Sequence, residues 1–135
     1  MHGSIASCSC PGCGASVPVE RARARLAGDP DGVPRCEACE APLKPDVVLF
    51  GEFLPEAALR RAEQLCSRAE LLLCIGSSLE VYPVAALPEL TRATGGSVAI
   101  ITKGPTPFDE LAAVRLDGDV VEELEGLLAA LGIAA

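Results

Sequence analysis

Four cysteines in two closely spaced pairs are the residues of this sequence best suited to chemistry. Cys10 and Cys13 form one C-x2-C pair, and Cys36 and Cys39 form a second pair after a 22-residue spacer. Cysteines three residues apart can point both sulfurs inward from one tight turn, and two such turns supply the four tetrahedral thiolates of a structural zinc site. We therefore predict a structural Zn2+ ion bound by these four side chains.

The remaining thiols leave some alternatives open. Cys8 could replace Cys10 as a ligand, but C-x4-C is the poorer spacing, so we expect Cys8 to be a bystander. Cys66 lies in a helical pattern and Cys74 in an apolar run, and both are expected to be small core residues. Iron or redox-active disulfides are the alternatives to zinc at the paired cysteines.

Composition and charge exclude several classes of protein. The chain has 135 residues, of which 50% are hydrophobic and 3% aromatic, and its net charge is −8. This length suits one domain with an aliphatic core. Binding to nucleic acid requires clustered lysine and arginine, so we expect no nucleic-acid partner. We interpret Arg21, Arg23 and Arg25 as part of a solvated loop or turn.

The sequence also bears on the compartment. No apolar run reaches the ~18–20 residues that cross a bilayer, and the N-terminus lacks the pattern of a secretory signal. Seven cysteines without such a signal indicate a reducing environment. We therefore expect no membrane partner and a cytoplasmic location.

The composition of the chain, and with it the type of structural element expected to position these residues, changes near residue 44. The earlier segment is rich in Cys, Gly, Pro and Arg and has too few apolar residues to fold unaided. The later segment alternates apolar runs with helical patterns, which indicates an α/β fold with a parallel sheet. The predicted strands cover residues 46–50, 71–75, 97–102 and 113–116, and the predicted helices cover 55–68, 83–94 and 119–131. We expect residues 71–75 to be a parallel strand covered on both faces and Ala134-Ala135 to fray.

Five strings, in order, carry a resemblance to the sirtuin family of NAD-dependent protein-lysine deacylases. They are His2-Gly3-Ser4, KPDVVLFGE at residues 44–52, GSSLEVYP at 76–83, GPTPFD at 104–109, and Gly118-Asp119. The third string is similar to the family pattern G-T-S-L-x-V-x-P, with Ser77 where Thr is usual. The resemblance covers nearly the whole chain. It implies a small zinc-binding module with four cysteine ligands over residues 1–44 and, over residues 45–135, the C-terminal part of a Rossmann-like NAD-binding domain.

The resemblance assigns residues to the co-substrate NAD+. The turn after residue 75 lies at the carboxyl end of a strand, where open α/β sheets bind ligands. Thr102 falls where the family usually has an Asn that binds the adenosine ribose, and a hydroxyl cannot replace both functions of that amide. The implied cofactor-binding residues are Gly76, Ser77, Ser78, Thr102, Asp119 and Val120.

The resemblance also implies an acylated-lysine protein or peptide as substrate. In the family this peptide adds as a strand between two extended stretches, which correspond to residues 48–52 and 76–81. The Val48 carbonyl would accept the acyl-lysine N–H, and Phe50 would line an apolar tunnel for the lysine stem. The implied substrate-binding residues are Val48, Phe50, Gly51, Glu52 and Val81. A core strand followed by a plain turn is the alternative interpretation of both stretches.

His2 is the only histidine, and near a terminus such a residue is usually just solvated. Directly before Gly-Ser, and eight residues before the first predicted zinc ligand, it matches the family's catalytic His-Gly. The resemblance implies that His2 is the general base, a role that histidine fills more often than any other side chain. We expect the metal cluster to seat His2 beside the cleft between residues 48–52 and 76–81.

The sequence lacks strings that the family carries ahead of its catalytic histidine. These are G-A-G-x-S, G-I-P-D-F-R and T-Q-N-I-D, which bind the pyrophosphate and complete the reaction centre. We therefore expect the chain alone to be a weak or inactive deacylase. We also expect the strand at residues 71–75 to form an uncovered apolar edge that favours self-association. A non-catalytic zinc-stabilised binding module is the alternative function, and a nucleic-acid zinc ribbon conflicts with the acidic charge.

Overall fold

The computed structural model describes residues 1–133, and the expectation for Ala134 and Ala135 lies outside the described residues. The chain forms two compact units, Met1–Ala58 and Leu59–Ala135. The division falls inside a helix, whereas the composition change lies at residue 44. We describe each unit by itself.

The first unit contains a three-stranded antiparallel sheet and one helix. Strand β1 (Gly3–Ser9) lies in the centre, and β2 (Ser16–Pro18) and β3 (Lys44–Val47) pair with it on either side. Helix α1 (Val19–Leu26) follows β2 directly. The buried core of this unit is small and half of it is cysteine; its residues are Cys8, Cys10, Val17, Ala22, Cys36 and Leu43.

The interpretation of the arginine-rich segment as a loop or turn was wrong. Arg21, Arg23 and Arg25 lie in α1, which begins after Pro18 and buries Ala22. Alanine, arginine and leucine are all strong helix formers, and proline is well tolerated at the start of a helix. In this segment these helix-forming preferences outweigh the repulsion between the clustered arginines.

The predicted strand over residues 46–50 is shifted and belongs to a different sheet. Strand β3 covers Lys44–Val47 and pairs antiparallel with β1, with Ser9 opposite Lys44 and Gly3 opposite Val47. Leu49 and Phe50 are exposed rather than buried. The apolar run therefore reflects a protruding loop after the strand and not a continuous core strand.

The second unit contains the predicted parallel sheet. Strands β4 (Leu71–Ile75), β5 (Ser97–Ile101) and β6 (Val114–Leu116) lie side by side in that order. Both strand pairs are parallel, with Leu71 opposite Ser97 and Ala99 opposite Val114. The α/β class with a parallel sheet is confirmed. The connection from β4 to β5 is helical, and the connection from β5 to β6 contains a 3-10 turn, Asp109–Leu111. Parallel strands require such crossover connections.

The helices follow the predicted pattern with shorter bounds. Helix α2 is Glu56–Cys66, α3 is Leu87–Ala93 and α4 is Val120–Ala130. The predicted helix over residues 83–94 divides into a 3-10 turn, Val84–Ala86, and α3. Pro88 explains the division, because its missing N–H suits a helix start and not an interior.

Strand β4 is packed on one face only. Leu72 and Cys74 pack with Val98, Ile100 and Phe108 in the core of the unit. The alternate side chains, Leu71, Leu73 and Ile75, are 56%, 44% and 43% exposed, so the expectation of a strand covered on both faces was wrong. Within residues 1–133, β4 has β5 as its single neighbour, as expected for an uncovered edge.

Among the described residues, no helix has both the length and the apolar character needed to cross a membrane.

The turn between α3 and β5 leaves no room for a side chain at Gly96. A methyl group there would lie 2.2 Å from the Ala69 carbonyl oxygen and 2.7 Å from Thr91 Cγ2. We expect Gly96→Ala to lower the free energy of unfolding by about 2 kcal/mol in urea titrations, because overpacking displaces the backbone. Gly126→Ala is the control, since a methyl in that part of α4 meets no atom within 4 Å. It should raise stability by about 1 kcal/mol through helix propensity, and equal effects of the two variants would contradict the analysis.

Candidate functional site: a cysteine cluster and two ligand-binding edges

The two cysteine pairs adopt the same backbone turn. In the first, Gly14 donates its N–H to the Cys10 carbonyl at 2.8 Å, and Cys10 donates to the Ala15 carbonyl at 2.8 Å. In the second, Glu40 donates to the Cys36 carbonyl, and Cys36 to the Ala41 carbonyl, both at 2.9 Å. Gly14 and Glu40 each have positive φ, 75° and 60°. Both C-x2-C pairs are thus folded as knuckles.

The knuckles bring the four predicted ligands together. The sulfurs of Cys10, Cys13, Cys36 and Cys39 all lie within 4.8 Å of one another. The Sγ–Sγ distance is 3.4 Å from Cys10 to Cys39 and 3.6 Å from Cys13 to Cys36. A tetrahedral zinc ion with Zn–S bonds of ~2.3 Å separates its sulfurs by ~3.8 Å. The cluster therefore fits a structural Zn2+ ion, and the buried Cys8 lies outside it.

The crowded thiols hold their protons unequally. The backbone N–H of Cys13 is the main cause that lowers the pKa of Cys10 to about 7. The N–H of Ala41 favours the Cys39 thiolate, but the hydrogen bonds that the Cys39 S–H donates to the other three sulfurs, together with burial, outweigh it and raise the Cys39 pKa to about 12. Four thiols this close oppose successive ionisation, and a bound dication reverses that preference by stabilising every thiolate.

An ion pair links α1 to the second knuckle. Arg25 donates to the Arg35 carbonyl at 3.0 Å and to the Glu37 carboxylate at 2.7 Å. Glu37 lies inside the Cys36–Cys39 turn. The arginine that we interpreted as solvated therefore fixes the helix against the cysteine cluster.

His2 lies next to the predicted substrate-binding stretch within the first unit. The His2 carbonyl accepts a hydrogen bond from the Val48 N–H at 2.9 Å, which continues the β1–β3 pairing by one residue. The pairing is close at Gly3, where a Cβ atom would lie 1.9 Å from the Asp46 carbonyl oxygen. Gly3 also has φ of +76°. Glycine is thus required beside His2 for the histidine to reach this position.

A lysine and a glutamate fix the loop that follows β3. Lys44 Nζ donates to the Val47 carbonyl at 2.8 Å and forms an ion pair with Glu52 at 3.0 Å. Glu52 in turn accepts the Leu49 N–H at 2.9 Å, and this bond lowers the pKa of its carboxyl group. Phe50 projects from this braced loop with 98% of its surface exposed. An exposed aromatic side chain on a fixed loop is suited to contact a ligand.

The second unit brings the predicted NAD+-binding residues to one edge of its sheet. Ile75, Ile101 and Leu116 are aligned neighbours at the carboxyl ends of the three strands. Gly76 and Thr102 directly follow two of these ends, and the chain after the third leads to α4. An added Cβ on Gly76 would lie 3.9 Å from Val120 Cγ2, so this turn and the start of α4 are in contact.

Two of these residues already have structural roles. The Asp119 carboxylate caps α4 by accepting the Val121 N–H at 2.9 Å and the Glu122 N–H. Thr102 is 8% exposed, and its N–H donates to the Leu116 carbonyl at 3.2 Å. Their roles toward NAD+ remain predictions, and these contacts limit what either side chain can offer a ligand.

The turn after Gly76 is shaped by its own residues. Gly76 has φ of +62°, and Ser77 Oγ accepts the Leu79 N–H at 3.2 Å. Leu79 is buried in the core of the unit despite a φ of 54°. Ser78 and Val81 are exposed on either side of this anchor. The buried Leu79 therefore anchors the turn, and Ser78 lies exposed beside it.

Sequence reasoning missed Lys44 and Arg115 as residues that shape the site. Lys44 was seen only as part of a family string, and Arg115 carried no role. Both act through backbone carbonyls that lie close in space, and no pattern of side-chain types reveals such contacts.

The protein thus belongs to the class of α/β proteins with an open parallel sheet, and a cysteine-knuckle module precedes that sheet in the chain. Comparison with family models then identifies the family. Residues 1–83 match the Sir2 family model, and the chain belongs to the Sir2 family.

Curated relatives agree with this assignment. An NAD-dependent protein deacetylase of Thermotoga maritima is 42% identical over 122 residues, which cover 90% of this chain and 49% of the relative. An NAD-dependent protein deacylase of Thermus thermophilus is 38% identical over 128 residues, 95% of this chain and 48% of the relative. The chain spans about half the length of the curated relatives it matches.

Solved structures of the family are similar over nearly the whole chain. A structure of Sir2Tm bound to a propionylated peptide has a TM-score of 0.95 at 40% identity, and covers 99% of this chain and 56% of that one. A structure of Sir2 with p53 peptide and NAD+ has a TM-score of 0.95 at 40% identity, covering 99% and 55%. The predicted resemblance to sirtuins is confirmed.

We expect the purified chain to contain one zinc ion and Cys36→Ser to lose it, because three thiolates leave the tetrahedron open. Elemental analysis by mass spectrometry measures the zinc content, and thermal unfolding measures the loss of stability. Cys8→Ala is the control, since Cys8 is buried in the same core but lies outside the cluster. Full zinc in Cys36→Ser, or zinc lost from Cys8→Ala, would contradict the ligand set.

Proposed function

We propose that this chain carries the zinc module and the NAD+-binding edge of an NAD-dependent protein-lysine deacylase. The reaction would transfer the acyl group of a modified lysine to ADP-ribose and release nicotinamide. The observation that carries the proposal is the meeting of Gly76, Thr102 and the start of α4 at the carboxyl edge of one parallel sheet. Membership of the Sir2 family supplies the chemistry for that edge.

The proposed NAD+ site uses backbone more than side chains. Gly76 allows close approach of a ribose or phosphate group, and the hydroxyls of Ser77 and Ser78 supply hydrogen bonds at the same turn. Val120, beside Gly76, offers an apolar contact to adenine. We assign Asp119 to this region through its backbone, because its carboxylate caps α4. Thr102 contributes a ribose contact from a largely buried position.

The proposed substrate site begins at the antiparallel sheet of the first unit. The Val48 carbonyl would accept the acyl-lysine N–H, and the exposed Phe50 would cover the aliphatic stem of that lysine. Gly51 and Glu52 would contact the peptide backbone as an added strand. Val81, in the second unit, stays a predicted contact of the peptide. His2, hydrogen-bonded through its carbonyl to Val48, would take a proton from a ribose hydroxyl during acyl transfer.

The zinc ion in this proposal is structural. It would be held by Cys10, Cys13, Cys36 and Cys39 and would stabilise the unit that carries His2 and β3. We propose a cytoplasmic location, because all seven cysteines are free thiols and a thiolate zinc cluster is favoured by reducing conditions. Cell fractionation with an antibody tests the location.

We propose that the chain alone turns over slowly, because it spans about half the length of its relatives. Nicotinamide release from NAD+ with an acetylated or propionylated lysine peptide measures the activity. We expect a weak rate for the chain alone, a higher rate after addition of the amino-terminal half of the Thermotoga maritima relative, and loss of that higher rate in His2→Ala. Loss on the order of 100-fold is typical for removal of a general base.

The control variant for this assay is Ser4→Ala, which changes an exposed hydroxyl two residues from His2, in β1. Peptide binding without nicotinamide release, with or without the added half, would favour the alternative of a non-catalytic binding module. Equal rates of His2→Ala and the unchanged chain would overturn the proposed role of the histidine.

We also propose that the edge of β4 pairs with β4 of a second copy. Glu70 and Gly76 bond to β5, so the backbone groups of Leu71, Leu73 and Ile75 point away from the sheet. An antiparallel copy centred on Leu73 presents the same donors and acceptors at the same spacing. The strand has no charge or proline to prevent such pairing.

Sedimentation velocity tests this association. We expect a dimer at high micromolar concentration and a monomer for Leu73→Lys, because a lysine at the centre of the edge repels its symmetry mate. Leu131→Lys is the control, since Leu131 is also exposed but lies at the end of α4. A monomeric unchanged chain, or a Leu73→Lys variant that still dimerises, would exclude this interface.

A further inference from the structure

Arg115 contacts five other residues, and none of the functions considered above assigns it a role. It lies in β6, and its side chain is 20% exposed. Its Nη1 atom donates to the Thr102 carbonyl at 2.7 Å, and its Nε atom donates to the Asp109 carboxylate at 2.9 Å. The guanidinium also contacts the carbonyls of Leu116 and Gly104 and the carboxylate of Asp117.

Three of these contacts, those with Thr102, Gly104 and Asp109, lie in one segment, residues 102–109, which leaves the carboxyl end of β5. Gly104 donates its N–H to Asp117 Oδ1 at 2.9 Å, so Arg115 and Asp117 bind the two polar groups of the same residue. Asp109 accepts the Thr106 N–H at 3.1 Å and the Thr106 hydroxyl at 2.6 Å. The segment is therefore fixed at its beginning, middle and end.

The electrostatics suit a permanent clamp. The Thr106 hydroxyl is the main cause that lowers the pKa of Asp109, and Arg115 adds to it. The carboxylate is thus ionised at neutral pH opposite a guanidinium that is always charged. Arginine is specifically suited to this position, because its planar fork reaches several carbonyls at once, whereas lysine offers a single ammonium group.

The clamp lies at the edge that the proposed function needs. Thr102 is a proposed ribose contact, and both its polar backbone groups are bound by β6: the N–H by the Leu116 carbonyl and the carbonyl by Arg115. Leu116 aligns with Ile101 and, through it, with Ile75. A change in the position of residues 102–104 would therefore alter the edge beside Gly76.

We infer that Arg115 is a positioning residue for NAD+, which holds residues 102–109 in the conformation that completes the nucleotide-binding edge. The inference rests on the proposed function and deepens it, because it assigns a role to a side chain that has no proposed contact with NAD+ itself. Asp109 and Asp117 act with it, the first as the internal counter-ion and the second as an exposed brace.

Amide NMR spectra of the 15N-labelled full chain, titrated with NAD+ to millimolar concentration, test this inference. In the unchanged chain we expect shifts at Gly76, Thr102, Gly104 and Val120. Arg115→Lys should weaken the apparent affinity for NAD+ roughly tenfold, because charge-assisted bonds to the loop are lost. It should also speed hydrogen exchange at the Gly104 amide by a similar factor, and leave the amides of β4 in place.

Arg92→Lys is the matched control. Arg92 also donates to a backbone carbonyl, that of Leu111 at 2.7 Å, but it lies at the end of α3, ahead of the amino end of β5. We expect Arg92→Lys to lower the melting temperature without changing the affinity for NAD+. An equal loss of affinity in both variants would mean that Arg115 acts only through general stability, and would overturn the inference.

Asp117→Ala provides a second route if Arg115→Lys does not fold. The Asp117 side chain is 70% exposed, so its removal leaves no cavity, but it frees the Gly104 N–H. We expect a three- to tenfold weaker affinity and faster exchange at Gly104, since one bond to the loop is lost. Unchanged affinity in Asp117→Ala and in any folded Arg115→Lys overturns the inference and leaves the proposed function intact. Absence of NAD+-induced shifts in the unchanged chain overturns the proposed function itself, and the inference with it.

Discussion

The first unit depends on four sulfurs that must share one small volume. Its buried core contains six residues, of which three are cysteines and one is alanine, so hydrophobic burial alone supplies little stabilisation. Coordination of a structural zinc ion contributes ~10–16 kcal/mol of folding free energy in small modules. The antiparallel sheet, α1 and the second knuckle are joined to this cluster by hydrogen bonds and by the Arg25–Glu37 ion pair. Metal coordination thus substitutes for a core, and the position of His2 follows from the sheet that it stabilises.

In each unit, close contacts with the backbone position the candidate site residues. Gly3 allows β1 to approach β3 so that His2 can bond to Val48. In the second unit, Gly76 lies against the start of α4, and Arg115 binds the carbonyls of residues 102 and 104. The first contact joins two backbones, and in the other two a side chain, that of Val120 or Arg115, lies against the backbone of another segment. Contacts to backbone groups tolerate exchange of the residues that supply those groups, which is consistent with the 42% and 34% identity of this chain to two of its relatives.

The exposed apolar surfaces of this chain are best understood together with its length, which is about half that of its relatives. Leu71, Leu73 and Ile75 on one face of β4, and Phe50 and Phe53 in the loop after β3, are large apolar side chains left in solvent. Such surfaces usually mark contacts with another polypeptide. On β4, charge does not oppose such contacts, because the strand carries none. The expected weak activity and the expected association both follow from surface that this chain cannot bury by itself.

The sequence by itself determined the metal ligands, the parallel sheet and the family. Cysteine spacing is a local property, since each pair folds as one turn, and an apolar run that ends in glycine predicts a strand wherever it packs. Ordered strings of residues identify a family without any knowledge of contacts. The bounds of β4 and β5 were accordingly close to those predicted.

Only the tertiary structure decided the rest. Strand β1 consists mostly of small residues, and it becomes a strand because β2 and β3 pair with both of its edges. Lys44–Val47 joined that antiparallel sheet and not the parallel one, and Asp119 became a helix cap. The Arg115 guanidinium binds backbone carbonyls of residues that lie 1, 11 and 13 positions from it along the chain. Carbonyl oxygens are identical in every residue, so their arrangement around one guanidinium is visible only after the chain has folded.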